Sequence, residues 1–316
     1  MFINKIKKLI LNYLYKDPEK IMIENLIKKH LPTKTVDYNA SQNFYTNYRK
    51  AYLDIYTDYI LPMALKNISI KDSDFPKILD IGCGFAPMCL ASKIYRDIWI
   101  KNKNKNNNNN NNYYYVGIDI RKDAIEYNKI NFKEHPEIFF LLHDASNKNI
   151  DYIGDFKKFK NLAPNRIMTE ASSDGEEANY QLPFTYKADI QWSNSLFTHL
   201  TPSSLFNVLR FISKNLSNEG VAINTCQIID PESLYSMKLG LADRNLKYDF
   251  GSFMTYSENN PLLTTAYKID HLLEIYEKNN LKIIKIIEGK WRNVKQRAKS
   301  SKHDQDIIIA KKNLLN

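Results

Sequence analysis

Lys77-Ile78-Leu79-Asp80-Ile81, followed at once by Gly82-Cys83-Gly84-Phe85-Ala86-Pro87 and the apolar run Met88 to Tyr95, decides the fold. The first five residues read as a buried strand, the glycines as a tight turn and the run after them as a helix. Strand, glycine turn and helix form the opening unit of a doubly wound sheet. The pattern then repeats along the chain. Tyr113 to Asp119 reads as a strand and Lys122 to Phe132 as a helix; Ile138 to His143 and Ala188 to Trp192 read as further strands. Thr201 is the expected N-cap of a helix with Pro202 at its first position, the stripe Leu205, Leu209, Ile212 and Leu216 as its buried face and Gly220 as its stop. Val221 to Cys226 is the fifth strand. A helix over Lys268 to Asn279 and strands over Leu281 to Ile287 and Asp306 to Ala310 fit an antiparallel finish. The expected fold is therefore α/β: a Rossmann-like, doubly wound, mostly parallel sheet with an antiparallel C-terminal strand pair.

Residues 1–70 read as an N-terminal helical extension, amphipathic at its start and rich in tyrosine from Ala40 to Leu65, and residues 71–316 as the α/β domain. Two segments interrupt that domain. Residues 101–112 end in seven consecutive asparagines and read as a surface loop that buries nothing. Residues 161–186 exceed an ordinary connection and read as a lid insert, and Tyr235 to Thr265 is expected to help it cover a substrate.

The chain has 316 residues, a formal charge of +10 and 43% hydrophobic residues, which suits a packed globular protein. Three cysteines, Cys83, Cys89 and Cys226, make no disulfide framework and no metal-binding pair, which points to a reducing, cytoplasmic setting without a metal. No apolar run reaches the ~18 residues that span a bilayer. The first helix, studded with lysine, fits weak contact with a membrane surface or, more simply, a docked amphipathic helix. The positive charge admits a nucleic-acid partner, but the lysines are dispersed along the whole chain, as on an ordinary solvated surface.

The glycine turn has a chemistry of its own. Glycines after a strand let a ligand approach the main chain, and the helix N-terminus offers N–H groups to an anion. A dinucleotide site would place a third glycine where Pro87 stands, which weighs against NAD. Asp80, two residues before the first glycine, can take an ammonium group directly or through water. Asp119, at the end of the second strand, can accept both hydroxyls of a ribose; it follows Gly84 by 35 residues, or by 23 once residues 101–112 are set aside. Asp144, at the end of the third strand, can read an adenine edge together with the Ala145 N–H. Three strand-end acids describe a site for a nucleoside that carries an amino acid.

Taken together, Ile78-Leu79-Asp80-Ile81-Gly82-Cys83-Gly84, Gly117-Ile118-Asp119-Ile120 and Trp192-Ser193-Asn194-Ser195-Leu196-Phe197-Thr198-His199-Leu200, with Asn218-Glu219-Gly220 after the helix, resemble the class I S-adenosylmethionine-dependent methyltransferases over residues 75–312. The resemblance implies S-adenosylmethionine as cofactor, S-adenosylhomocysteine as product, and cofactor contacts from Asp80, Gly82, Cys83, Gly84, Asp119, Ile120, Asp144, Ala145, Ser193 and Asn194. Ser195 to Leu200, Tyr180 to Phe184 and the ending Gly289-Lys290-Trp291 plus Gln305-Asp306-Ile307 further resemble a bacterial subgroup often associated with surface-glycan or small-molecule modification. It implies O-methylation of a sugar, glycan or small metabolite, with Tyr180, Trp291 and Arg292 on the substrate. The alternatives are an RNA or DNA methyltransferase and a non-catalytic binding protein of the same fold; the sequence does not address the oligomeric state. Two departures stand out: Ala86 replaces the third glycine of the turn, where positive φ is costly, and Ser217-Asn218-Glu219 replaces the usual residues before Gly220.

Several residues have a plainer reading beside the functional one. Asp119 could cap the helix that starts near Lys122, and Asp144 could serve an Asx turn. Histidine is the side chain suited to take a proton from a hydroxyl acceptor near neutral pH, so His199 is a candidate base, or else it holds its loop. Trp291 and Arg292 could stack on and bind a substrate, or pack at an edge. Cys83, with no base beside it, is expected to be a filler.

Overall fold

The computed structural model describes residues 55–68, 75–103, 113–142, 182–257, 261–293 and 303–314. Asp144, Ala145, Tyr180, residues 1–54, the asparagine tract from 104 on and residues 161–181 lie outside them.

β1 (Ile78–Ile81), β2 (Tyr115–Asp119) and β4 (Ala188–Ser193) are buried along almost their whole length, as strands covered on both faces must be. With β3 (Ile138–Leu142), β5 (Leu216–Ile229), β9 (Leu281–Ile287) and β10 (Asp306–Lys312) they form one sheet in the order β3-β2-β1-β4-β5-β10-β9. The pairs from β3 to β5 are parallel, and β10 alone runs against its neighbours β5 and β9. The expected antiparallel finish is present. Beyond the part of β5 that meets β10, Gln227–Ile229 pairs with β8 (Thr265–Lys268), which carries the short strands β7 (Phe253–Thr255) and β6 (Tyr248–Asp249).

Alternate residues of each strand feed two cores, since side chains change face at every step. Ile78, Tyr115, Trp192, Ile223 and Ile307 share one core with α1 (Leu61–Asn67) and α2 (Pro87–Lys103). Leu79, Val116, Ala222 and Ile308 share the other with α4 (Pro202–Asn215) and α6 (Ile269–Lys278). α3 (Lys122–Asn131) joins β2 to β3, and α5 (Pro231–Lys238) follows β5.

Three expectations need adjustment. Tyr56, Ile60, Leu61 and Ala64, assigned to the extension, are buried in the same core as β1, with the Tyr56 ring edge-on to Trp192 at 5.4 Å. The Tyr95 hydroxyl of α2 donates to the Thr57 carbonyl, so this end of the extension belongs to the domain. The fourth helix starts as expected, with the Thr201 hydroxyl accepting from the Ser204 N–H, but it ends at Asn215 and not at Gly220. Gly220 lies within β5, where an added Cβ would sit 2.9 Å from the Ala188 carbonyl; close strand approach requires it, not helix termination. Finally, the described end of the lid segment does not lie over the glycine turn. Phe184 packs on Tyr113 and Phe139, and the Tyr186 hydroxyl donates to the carbonyls of Ile78 and Tyr114, all at the amino ends of the strands. A cavity of about 300 Å³ between Tyr186, Lys187 and Lys214 lies at that same edge.

Candidate functional site

The strand order reverses between β1 and β4, and in sheets of this kind ligands bind at the carboxyl ends of the strands on either side of such a switch. The glycine turn leaves β1 there. The N–H groups of Gly82 and Cys83 both donate to the Ile118 carbonyl, at 2.8 and 3.0 Å, and the Gly84 N–H donates to Asp119 Oδ2 at 2.7 Å. Asn128 of α3 donates to the Gly84 carbonyl at 2.7 Å. Gly82 and Gly84 have φ of 74° and 50°, and Ala86 also takes a positive value, 54°. The departure at Ala86 therefore leaves the turn's shape intact at a local cost of about 1–2 kcal/mol. Pro87 opens α2, where a missing N–H costs nothing. Among the described residues, a Cβ placed on Gly84 would meet no atom within 4 Å, so the turn offers open main chain to a ligand.

Asp80 is 2% exposed, and its Oδ2 accepts a 2.5 Å hydrogen bond from the Tyr115 hydroxyl. Among the described residues it has no cationic partner. Burial pushes its pKa up to about 7, against the Tyr115 hydrogen bond and with a further contribution from Asp119. Tyr115 was not legible as a site residue, because its place within an apolar strand reads as core. Asp119 is also buried. Burial raises its pKa, opposed by the N–H groups of Arg121 and Gly84, each of which donates to one of its oxygens. It does not cap α3, whose N-cap is Arg121. Each carboxylate oxygen keeps a second lone pair, which suits a diol. Ile120 beside it is half-buried. Cys83 is buried, and burial holds its thiol far above the usual range, so it is a filler packed toward Gly117.

Across the switch, the loop after β4 lies against the turn: Leu196 Cβ would be 3.4 Å from a Cβ on Gly82. Ser193 is fully buried and donates to Asn224 Oδ1 at 2.7 Å, which takes its side chain out of reach of a cofactor. Asn194 and Ser195 are half-buried, and Ser195 has a strained φ of 56°. They join Thr225, His303 and Gln305 in one polar network; of the last three only Gln305 stood in a motif of the sequence, and none was read as a site residue. His199 is exposed, on a turn over Phe197–His199, with Nδ1 2.9 Å from the Leu262 carbonyl.

Trp291 and Arg292 need correction as substrate residues. Trp291 is fully buried and gives its indole N–H to Asp306 Oδ2 at 2.8 Å. Arg292 is spent on Asp306 and Asp230, at 2.7 and 2.6 Å. Asp306 also accepts the N–H groups of Ile228 and Gly289, so these side chains lock β5, β10 and the turn before β10 together. A substrate would have to break a buried ion pair to reach them.

Among the described residues there is no group of three metal-ligating side chains, and no helix is long and apolar enough to cross a membrane. No family model matches the chain. Solved structures do. An S-adenosylmethionine-dependent methyltransferase from Clostridium acetobutylicum is 13% identical, with 85% of this chain and 99% of that one covered and a TM-score of 0.44. A TehB-like S-adenosylmethionine-dependent methyltransferase from Corynebacterium glutamicum is 14% identical over 86% and 100%, at 0.40. Magnesium protoporphyrin IX methyltransferase from Synechocystis, with bound SAH, is 10% identical over 96% and 98%, at 0.41. Likeness at this distance carries no assignment of ligand or reaction. The fold rests on the chain's own strand order, which is a Rossmann-like, mostly parallel doubly wound sheet closed by an antiparallel strand pair, as the resemblance to class I methyltransferases implied.

Proposed function

We propose that the chain is an S-adenosylmethionine-dependent methyltransferase that acts on an oxygen of a small acceptor. One observation carries the reading: Asp80, a buried carboxylate without a cationic partner among the described residues, stands at the carboxyl end of β1 beside an open left-handed glycine turn. A buried acid left unneutralised is a cost that a folded protein keeps for a ligand. An α-ammonium supplies the missing charge, and the spare lone pairs of Asp119 suit the ribose hydroxyls of the same molecule. Bound there, the cofactor would supply an electrophilic methyl group on a sulfonium. The protein's contribution is alignment: Tyr115 and Asp119 fix the two ends of the turn, Gly84 leaves the close approach open, and the loop after β4 faces the acceptor side. His199, tied through Nδ1 to Leu262, fits the role of loop anchor better than that of general base. Asp144 and Ala145 keep their proposed place at the adenine.

Calorimetry with three ligands tests the reading. S-Adenosylmethionine and S-adenosylhomocysteine are expected to bind and NAD to give no heat; NAD binding without either of the others would overturn it.

A further inference from the structure

The cavity of about 300 Å³ at the amino ends of the strands stands at the far end of the sheet from the glycine turn, and no residue of the candidate site lines it. Its volume falls at the lower end of those that hold small molecules. One wall is apolar. Leu182 and Tyr186 are buried there, and Phe184 is half-buried with its ring edge-on to Tyr186 at 6.2 Å. The Tyr186 hydroxyl is committed to the carbonyls of Ile78 and Tyr114, so this side chain offers the cavity its ring.

The other wall is cationic, lined by Lys187 and Lys214. The Lys187 ammonium donates to the Lys214 carbonyl near the end of α4, which holds it at the rim between the two residues. An ammonium has three hydrogens, so two remain for a ligand. The helix end supplies about half a negative charge, which compensates Lys187 only in part. Lys312, the last residue of β10, adds to the excess: burial, and after it the charge of Lys187, lowers its pKa, so these two ammonium groups repel. Asp189 accepts from the Lys77 N–H at 2.9 Å and the Ser217 hydroxyl at 3.2 Å. Neither it nor the exposed Glu219 pairs with Lys187 or Lys312. A neutral apolar molecule would leave these cations uncompensated, and a bare inorganic anion would leave the apolar wall unfilled. An anion with a compact apolar body suits both walls.

We propose that this cavity is a second ligand site, for a small anion with an apolar body such as an aromatic carboxylate, with Leu182, Phe184 and Tyr186 against the body and Lys187 on the charge. The inference is independent of the proposed function, because it uses neither the glycine turn nor the loop after β4.

The test titrates ²H,¹⁵N-labelled full-length protein with benzoate, acetate and benzyl alcohol and follows the backbone amides. Benzoate should shift amides within residues 182–187 and at Lys214 and Asn215 saturably, with a dissociation constant of about 1 mM or below. Acetate lacks the ring and benzyl alcohol lacks the charge, so each should bind about fivefold more weakly or worse. Lys187→Met should weaken benzoate by about fivefold and leave benzyl alcohol unchanged, while Lys187→Arg, which keeps the charge, should retain benzoate. Three results would overturn the proposal: no benzoate shift in these segments, acetate or benzyl alcohol bound there as tightly as benzoate, or equal benzoate affinity in Lys187→Met and wild type. The first two need no variant, so the comparison stands even if Lys187→Met disturbs the end of α4.

Discussion

Asp80 carries a sign that a structural residue would not. Its folded pKa, about 7, lies above the ordinary carboxylate value, so the folded state holds the proton more tightly than the unfolded one. Its contribution to stability is complete below about pH 4 and is lost as the pH rises toward 7. Asp80→Asn, which mimics the protonated acid, is therefore expected to melt near wild type at pH 4 and above it at pH 8; a lower Tm at pH 8 would show that the carboxylate is structural. Tyr115→Phe removes the hydrogen bond that favours the charged form and should move the Asp80 pKa further up, as read from the pH dependence of ligand binding. Gly84→Ala separates backbone from ligand. The substitution meets open space, and Ala86 already tolerates the same conformation in the same turn, so the stability cost should be about 1–2 kcal/mol. S-Adenosylhomocysteine affinity, by contrast, should fall by roughly tenfold or more if a ligand uses that approach; equal affinity would remove Gly84 from the site.

At the scale of elements, the turn before β10 is a clamp and not a substrate contact. Arg292→Ala leaves Asp306 and Asp230 buried or half-buried without their cation and should destabilise the fold by about 3–5 kcal/mol, measured by denaturant melts. S-Adenosylhomocysteine affinity of the folded fraction should not change. The sequence led to the opposite emphasis for a physical reason. An aromatic beside an arginine in a short turn looks like a surface contact, and only the long-range placement of Asp306 beneath it shows that both are buried. Local signals fared better. Thr201 and Pro202 mark the start of α4, and the uninterrupted apolar runs mark β1 and β2, because capping and burial on both faces act over a few residues. Gly82, Gly84 and Asp119 were legible as a set, since a strand, a turn and a strand-end acid are local patterns repeated at a known distance. His303 and Thr225 were not: their meeting with Asn194 depends on β10 lying antiparallel beside β5, and no spacing in the chain announces that.

At the scale of the whole molecule, the lysines and arginines behind the charge of +10 are dispersed along the sequence, and among the described residues many of them are paired. Lys93, Lys122, Lys133, Lys268 and Lys278 each sit beside an acid, Asp97, Glu126, Glu134, Asp249 and Glu274 respectively. Such pairs flatten the long-range field that would hold a polyanion. Gel shifts with RNA or duplex DNA at physiological salt should therefore show no complex; a complex that weakens steeply with added salt would bring the nucleic-acid reading back. The proposed site lies instead at one edge of one sheet, where a buried acid and an open glycine turn stand beside the loop after β4. The measurement that tests this most directly is calorimetric binding of S-adenosylhomocysteine at pH 8 and pH 6 to wild type and to Asp80→Asn. If Asp80 is the ammonium site, wild type binds more tightly at pH 8 and weakens as the carboxylate gains its proton, while Asp80→Asn binds weakly at both. Equal affinity of the two proteins at pH 8 would contradict it.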